Sequence, residues 1–394
     1  MPDYPYATIH QMIHGDSTAM KEIADQSIDL VVTSPPYPMI QMWDGVFAAQ
    51  DPEIGELLER GYGLKAYERM HVILDKVWAE CFRVMKSGAI LCINIGDATR
   101  SIDGEFSLYP NHARILSSLT DLGFSILPEI LWRKQTNAPN KFMGSGMLPG
   151  GAYVTLEHEF ILVARKGGKR AFKGPEKQNR QNSAYFWEER NIWFSDVWMD
   201  LKGARQEIGE KNLRERSAAF PLELPFRLIN MYSAKGDAVL DPFGGLGTTI
   251  LAAMACGRNS AACEQDKELC NAFSPQASNF IDFANKRQEE RLARHVDFVL
   301  KRFEDKGAFR HKNNWYGFPV ITGQEKELVL DRLTSLKKTG DGCFSAEHGP
   351  LEWVQEKQDW VLFIDGNKKT APKPKRPNKS KKTQNQLVQT TLFD

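Results

Sequence analysis

The chain has 394 residues, 42% of them apolar and 26% charged, which is the balance of an ordinary globular protein with one large domain and additions, or two domains. A formal net charge of +1 excludes a polycation, so any grip on nucleic acid has to come from local clusters. Met1–Ile9 lacks the basic and apolar parts of a signal peptide, and no apolar run approaches the ~20 residues a membrane helix needs; a cytoplasmic, nucleoid-associated protein without membrane contact is expected.

In chain order, the first informative stretch is DLVVTSPPYPM, residues 29–39. Ile28–Thr33 reads as a buried strand, and it stops abruptly at Ser34-Pro35-Pro36-Tyr37. Two prolines cannot extend a hydrogen-bonded ladder, but they make a stiff platform with exposed carbonyls. A bland alternative is a structural Pro-Pro turn. In Tyr67–Met85, the residues Met70, Ile73, Leu74, Val77, Trp78, Cys81, Phe82 and Val84 fall on one helical face. Lys86-Ser87-Gly88 then gives a helix stop. Strands are predicted at Ala89–Ile95, Phe124–Leu131 and Glu159–Ala164.

Gln135–Tyr153 is rich in Asn, Gly, Pro and Met and reads as a long loop. Lys166–Arg216 is strongly charged, with Phe172, Tyr185, Phe186, Trp187, Trp193, Phe194 and Trp198 interleaved. Further on, the pattern predicts helices at Pro225–Tyr232 and Thr248–Cys256, with strands at Ala238–Leu240 and Ser260–Cys263. A charged helix follows around Asn285–Arg302, and Phe303–Asp365 reads as a small additional unit. The Lys/Arg/Pro run Lys368–Lys382 is too polar to pack and is expected to be disordered. Alternating strands and helices argue for a layered α/β fold with a largely parallel sheet. Cys81, Cys92, Cys256, Cys263, Cys270 and Cys343 form no C-x-x-C pair; buried reduced thiols and no metal site are expected.

The second informative stretch is AVLDPFGGLGTTILAAMACGRNSAACEQD, residues 238–266. A short strand ends at Asp241, a turn runs through Pro242-Phe243-Gly244-Gly245-Leu246-Gly247, Thr248 opens a helix, and the next strand ends at Glu264, 23 positions after Asp241. Glycines in a βαβ unit let backbone approach a ligand closely, and an acid at the end of the second strand reaches a ribose hydroxyl pair. The full dinucleotide spacing is absent. The turn suits a cofactor without pyrophosphate, and Asp241 would favour a cation. The alternative is a generic strand–helix turn.

Thr33-Ser34-Pro35-Pro36-Tyr37 and Asp241-Pro242-Phe243-Gly244-Gly245-Leu246-Gly247-Thr248-Thr249 together resemble the two signatures of the DNA amino-methyltransferases. The catalytic motif precedes the cofactor motif, as in the beta group. The resemblance continues through Gly15-Asp16, Ser87–Asp97, Leu131-Trp132-Arg133-Lys134, Glu157-His158-Glu159 and Ala219-Phe220-Pro221, roughly residues 13–270. One departure is Arg216-Ser217, where relatives often carry His-Pro.

The resemblance implies a Rossmann-like S-adenosylmethionine-dependent fold, a mostly parallel sheet with helices on both faces, and leaves the C-terminal third mostly uncovered. The expected organisation is a catalytic domain over 1–302 with a candidate target-recognition insert at 166–216, and, from the residue pattern alone, a small C-terminal addition at 303–366 and a basic tail at 367–394. S-adenosylmethionine would be held by Asp241, Phe243, Gly245, Gly247, Thr248 and Glu264. Ser34, Pro35, Pro36 and Tyr37 would be catalytic. The Ser34 hydroxyl and Pro35 carbonyl would accept hydrogen bonds from the amine of a base flipped out of duplex DNA, and Tyr37 would stack on that base. Methyl transfer would be a direct displacement, with the excess proton leaving through Ser34 or water.

Serine at the head of the motif resembles the N4-cytosine enzymes of restriction-modification systems. The alternatives are N6-adenine as target, an RNA or protein substrate, or a non-catalytic DNA-binding protein with this fold. Candidate DNA contacts are Arg133, Lys134, Lys141, Lys166, Lys169 and Arg170, with Arg180 and Arg190 beyond them. A cognate restriction endonuclease is an expected partner. Gln389, Leu392 and Phe393 near the C-terminus resemble a bacterial sliding-clamp peptide.

Overall fold

The computed structural model describes residues 4–134, 143–144, 147–201, 220–278, 280–353 and 360–364. The strands that carry the architecture are β1 (Tyr6–His14), β2 (Ile28–Thr33) and β3 (Met85–Ile95), followed by a hairpin of β4 (Ala98–Ile102) and β5 (Glu105–Tyr109). Then come β6 (Phe124–Arg133), the two-residue pair β7 (Met143–Gly144) and β8 (Ala152–Tyr153), β9 (His158–Lys166) and β10 (Val197–Trp198). After these lie β11 (Ala238–Asp241), β12 (Asn259–Glu264), a second short pair β13 (His311–Lys312) and β14 (Pro319–Val320), and finally β15 (Asp331–Gly340) and β16 (Cys343–Pro350). Ten of them form one sheet in the order β10-β6-β9-β3-β2-β11-β12-β1-β16-β15. From β3 to β1 neighbours run parallel; β9 runs against β3 and β6, and β16 against β1 and β15.

Period-2 alternation assigns the two faces. Val31, Leu91, Ile93 and Leu240 point to one side, where they pack with α1 (Asp44–Gln50), α2 (Glu53–Glu59), α3 (Gly63–Val84) and α4 (Asn111–Asp121). Leu30, Val32, Cys92 and Val239 point to the other. Past α5 (Pro175–Asn182) and α6 (Trp187–Trp193), that side is covered by α7 (Glu223–Tyr232) and α8 (Thr248–Ala255). Beyond α9 (Lys267–Ser278), the start of α10 (Ile281–Lys306) completes that cover. All six residues of β2 are buried, as expected for a parallel strand covered on both faces. Its neighbours in the sheet are β3 and β11. The chain leaves β2 through α1–α3 towards β3, and leaves β11 through α8 towards β12, on the opposite side. A crevice therefore opens beyond the carboxyl ends of β2 and β11, where such sheets bind ligands.

Two expectations are corrected. The stretch 303–366 does not stand apart as a unit, because β15 and β16 extend the main sheet through β1. Asn285 on α10 exchanges two hydrogen bonds with the Leu333 backbone. In the described part of the 166–216 segment, Phe186, Trp193 and Trp198 are buried, and β10 forms the sheet edge beside β6. Trp198 Nε1 donates to the Trp193 carbonyl at 3.0 Å, and the Arg227 guanidinium lies 5.2 Å from its ring. Finally, α3 ends at Val84 and β3 begins at once, so Gly88 lies inside a strand rather than at a helix stop. Its φ of +89° and the Arg170 backbone, 2.8 Å from where a Cβ would stand, both require glycine there. The 367–394 tail lies outside the described residues. No helix among the described residues is long and apolar enough to cross a membrane.

A buried polar seam joins the C-terminal strands to the sheet. Thr8 Oγ1 sits 2.8 Å from both His10 Nε2 and His348 Nε2, and His10 Nδ1 lies 2.8 Å from Ser260 Oγ. Asp331 accepts from Lys235 Nζ at 2.6 Å and from the hydroxyls of Tyr4 and Tyr6. Removing one partner of a buried ion pair strands the other charge. Asp331→Ala should therefore lower stability by about 3–5 kcal/mol in denaturant titration, and a loss below 1 kcal/mol would refute this role. Burial holds His10 and His348 down, at about 3 and about 4. Their folded values lie below the ordinary 6.5, so between these limits the unfolded chain binds more protons and stability falls as pH falls. Melting temperature should drop between about pH 6.5 and 4, and His348→Gln should flatten that slope.

Candidate active site

The site is built around one carboxyl group. Asp241 ends β11 and is 3% exposed. It accepts hydrogen bonds from Thr33 Oγ1 at 2.6 Å, Thr249 Oγ1 at 2.7 Å and the Phe243 amide at 3.0 Å. Thr33 is the last residue of β2, Phe243 lies in the glycine turn and Thr249 in the first turn of α8. One buried side chain thus fixes the serine–proline platform relative to the glycine turn. The expectation that Asp241 faces a cationic ligand is corrected: it does not line the cavity and acts through its neighbours. Burial raises its carboxyl to about 7, against the pull of the two threonine hydroxyls.

The glycine turn is shaped from below. Gly247 has φ +81°, and a Cβ there would stand 2.4 Å from Phe273 Cδ2. Gly247 and the buried Thr248 therefore set the path of the turn and do not reach the cavity. Gly245, with φ +51°, does reach it. Its amide donates to Glu264 Oε2 at 2.8 Å, while Asp266 N donates to Glu264 Oε1 at 2.8 Å. The Gly15 amide donates to the Glu264 carbonyl at 3.0 Å, and the Ser17 hydroxyl to the Pro242 carbonyl. The ends of β1, β11 and β12 are thereby stitched together.

Above these turns lies a cavity of about 790 Å³. Ser34, Pro35, Pro36 and Tyr37 form one wall, and Phe243, Gly245 and Glu264 another. Trp43, Val46 and Phe47 from the α1 region and Ile73, Leu74 and Val77 from α3 supply apolar cover. The Tyr37 ring lies against Gly96, where a Cβ would come within 3.0 Å of it. The Tyr37 hydroxyl accepts from Asn94 Nδ2 at 2.8 Å and from Ser34 Oγ at 3.2 Å, and donates to Glu159 Oε2 at 3.1 Å. Asn94 Nδ2 also donates to Glu159 Oε2, and Lys134 Nζ to Glu159 Oε1 at 2.7 Å. Burial raises the Tyr37 phenol well above its ordinary value, so it stays protonated.

Asn94 and Glu159 had no assigned role in the sequence reading. A signal existed for Asn94, a lone amide inside the apolar run Ala89–Ile95.

The basic candidates separate. β6 and β9 run antiparallel, so Arg133 and Lys134 stand at the cavity's edge of the sheet. Arg133 pairs with Glu157 at 3.0 Å, and Lys134 lines the cavity. Lys166, Lys169 and Arg170, also candidate DNA contacts, lie at the opposite edge, away from the cavity. Lys166 Nζ donates to the Phe82 and Met85 carbonyls, and Arg170 pairs with Asp237 and Asp29 at the start of β11 and β2. Lys169 is exposed there. Lys141, Arg216-Ser217 and the Gln389, Leu392 and Phe393 peptide lie outside the described residues.

Asp241→Ala would leave two hydroxyls and an amide without their acceptor in a dry site. It should lower stability by about 2–4 kcal/mol and weaken cofactor binding at least tenfold. Unchanged affinity by titration calorimetry would refute the coupling of the two turns.

The lining fits S-adenosylmethionine. Beyond the mutually paired Lys134 and Glu159, the charged lining is Asp16, Glu264 and Asp266, a surplus of acidic groups suited to a cation. Gly245 presents close backbone, and Glu264 stands where a ribose diol is read. Comparison with known proteins agrees. Residues 28–275 match the model of the N6/N4 family described as DNA methylase. The type II methyltransferase M.MthZI of Methanothermobacter thermautotrophicus is 47% identical over 353 residues, covering 89% of this chain and 98% of the relative. M.MjaI of Methanocaldococcus jannaschii, also a type II methyltransferase, is 48% identical over 273 residues, 66% of this chain and 89% of the relative. The crystal structure of TTHA0409, a putative DNA modification methylase from Thermus thermophilus complexed with S-adenosyl-L-methionine, superposes with a TM-score of 0.53 at 31% identity, covering 68% of this chain and 92% of that one. S-adenosylmethionine is the cofactor, DNA the substrate, and the chain belongs to the N6/N4 DNA methylase family.

Proposed function

We propose that the protein methylates the exocyclic N4 amine of a cytosine flipped out of duplex DNA, as the modification enzyme of a restriction-modification system with a cognate endonuclease. The observation that carries the reading is that Ser34–Tyr37 line the same single cavity as Gly245 of the glycine turn and Glu264 at the end of β12. An exocyclic amine is a poor nucleophile because its lone pair is delocalised into the ring. Acceptors for its N–H bonds draw it towards a tetrahedral geometry. Ser34 donates its own proton to Tyr37, which leaves the lone pairs of Oγ for the amine. Pro35 offers a carbonyl on a stiff backbone.

S-adenosylmethionine, when bound, supplies a methyl carbon on a positively charged sulfur. Phe243, Gly245 and Glu264 would hold it, and the platform residues align the amine with it. Alignment of this kind is worth up to roughly 7–11 kcal/mol. Serine at position 34 supports cytosine, since Asn or Asp at this place is more typical of the adenine enzymes. Arg133 and Lys134, at the cavity edge, are the cations placed to meet phosphates of the target strand.

Nucleosides from duplex DNA treated with the protein and labelled cofactor should contain N4-methylcytosine; N6-methyladenine instead would overturn the choice of base. Ser34→Ala should lower turnover about 10²-fold or more while cofactor affinity stays within twofold. Full turnover in that variant would remove the amine contact.

A further inference from the structure

The Ser34–Tyr37–Glu159 chain has more connectivity than a stacking platform needs. A tyrosine that only stacked on a base would need its ring and not its hydroxyl. Here the hydroxyl receives from Ser34 at 3.2 Å and gives to Glu159 Oε2 at 3.1 Å. Asn94, 2% exposed, donates to both Tyr37 and Glu159 at 2.8 Å and fixes their spacing. Gly96 leaves room for the ring to lie flat against the backbone. The two hydroxyl hydrogen bonds, Ser34 to Tyr37 and Tyr37 to Glu159, run in the same direction, from the platform to a carboxylate. That carboxylate is paired with Lys134 at 2.7 Å, and its side chain keeps 13% exposure beside a lysine that is 48% exposed. The chain begins at the platform and ends at the partly exposed Lys134–Glu159 pair on the rim of the same cavity.

We propose that Ser34, Tyr37 and Glu159 form a proton relay that removes the excess proton from the methylated amine, with Glu159 as the terminal acceptor and Asn94 and Lys134 as positioning residues. The inference rests on the amine-methylation reading given above. After methyl transfer the nitrogen carries the new methyl group, two hydrogens and a positive charge. One N–H bond breaks and its proton passes to Ser34 Oγ, the electron pair staying on nitrogen, which becomes neutral. The proton already on Ser34 passes to Tyr37 Oη, and the proton on Tyr37 passes to Glu159 Oε2. Serine and tyrosine end as they began, and the carboxylate ends as a neutral acid that returns its proton to solvent. The nitrogen of an alkylated amino-pyrimidine is strongly acidic, so the acceptor need not be a strong base. What the relay supplies is a path from the amine to a carboxylate beside the half-exposed Lys134. Tyr37 never carries a full negative charge, consistent with its burial.

The test uses the full chain in single-turnover methyl transfer to duplex DNA. Tyr37→Phe keeps the ring and the direct Asn94–Glu159 bond, so it is expected to fold even if Glu159→Gln does not. Each variant should slow the single-turnover rate tenfold or more, with cofactor and duplex affinities by calorimetry within twofold. The double variant should be no slower than the slower single, because both interrupt one path. Glu159→Asp should recover part of the rate. The rate in mixed light and heavy water should give a curved proton inventory in the parent and a linear one in Tyr37→Phe. Parental rate in Tyr37→Phe, multiplicative losses in the double variant, or losses confined to affinity would each overturn the relay. Product identity is read separately: N6-methyladenine with slowed variants would end the cytosine reading and leave the relay, whereas N4-methylcytosine with unslowed variants would end the relay alone.

Discussion

A carboxyl group taken out of water between two turns is the constraint on which the site depends. Asp241 is shared by Thr33, Thr249 and Phe243, which belong to segments more than 200 residues apart in sequence. Burying a carboxyl is costly unless donors surround it, so the arrangement holds only when the donors are all in place. Correct placement of the platform and correct placement of the glycine turn are in this way a single structural event. The same economy appears at Glu264, which orients Gly245 with one oxygen and Asp266 with the other while facing the cavity.

The chemistry was legible in the sequence because it is local. A strand stopped by Ser34-Pro35-Pro36-Tyr37, and a strand–glycine–helix unit with an acid 23 positions on, are each readable within one stretch. The central strands were legible for a related reason: buried on both faces, β2 and β3 read as continuous apolar runs. β1 did not, because Thr8 and His10 are buried polar residues inside a strand, a pattern that resembles a surface segment until its partners are known. β16 was missed because it pairs with a strand more than 300 residues earlier, and β15 because it joins the sheet only through β16.

The basic residues show the limit of counting charge. Lys166, Lys169 and Arg170 form the denser cluster, yet strand direction sends them to the far edge, where Lys166 and Arg170 satisfy carbonyls and carboxylates. Arg133 and Lys134 are fewer and both paired, yet they stand beside the cavity. Direction along a strand, which no composition window contains, decided which cations face the site. Among the interleaved aromatics of 166–216, Phe186, Trp193 and Trp198 are core, with the Arg227 and Arg291 guanidinia lying over the two tryptophans.

The seam that binds β16 to β1 has a further consequence for how the molecule is made. β1 leads straight into Gly15 and Asp16 at the cavity wall, yet its two neighbours, β12 and β16, are translated about 250 and 340 residues after it. While the ribosome is still producing the C-terminal third, β1 has an open edge, the kind of template on which nascent chains associate. The N-terminal wall of the cavity is thus among the first segments synthesised and among the last to be enclosed.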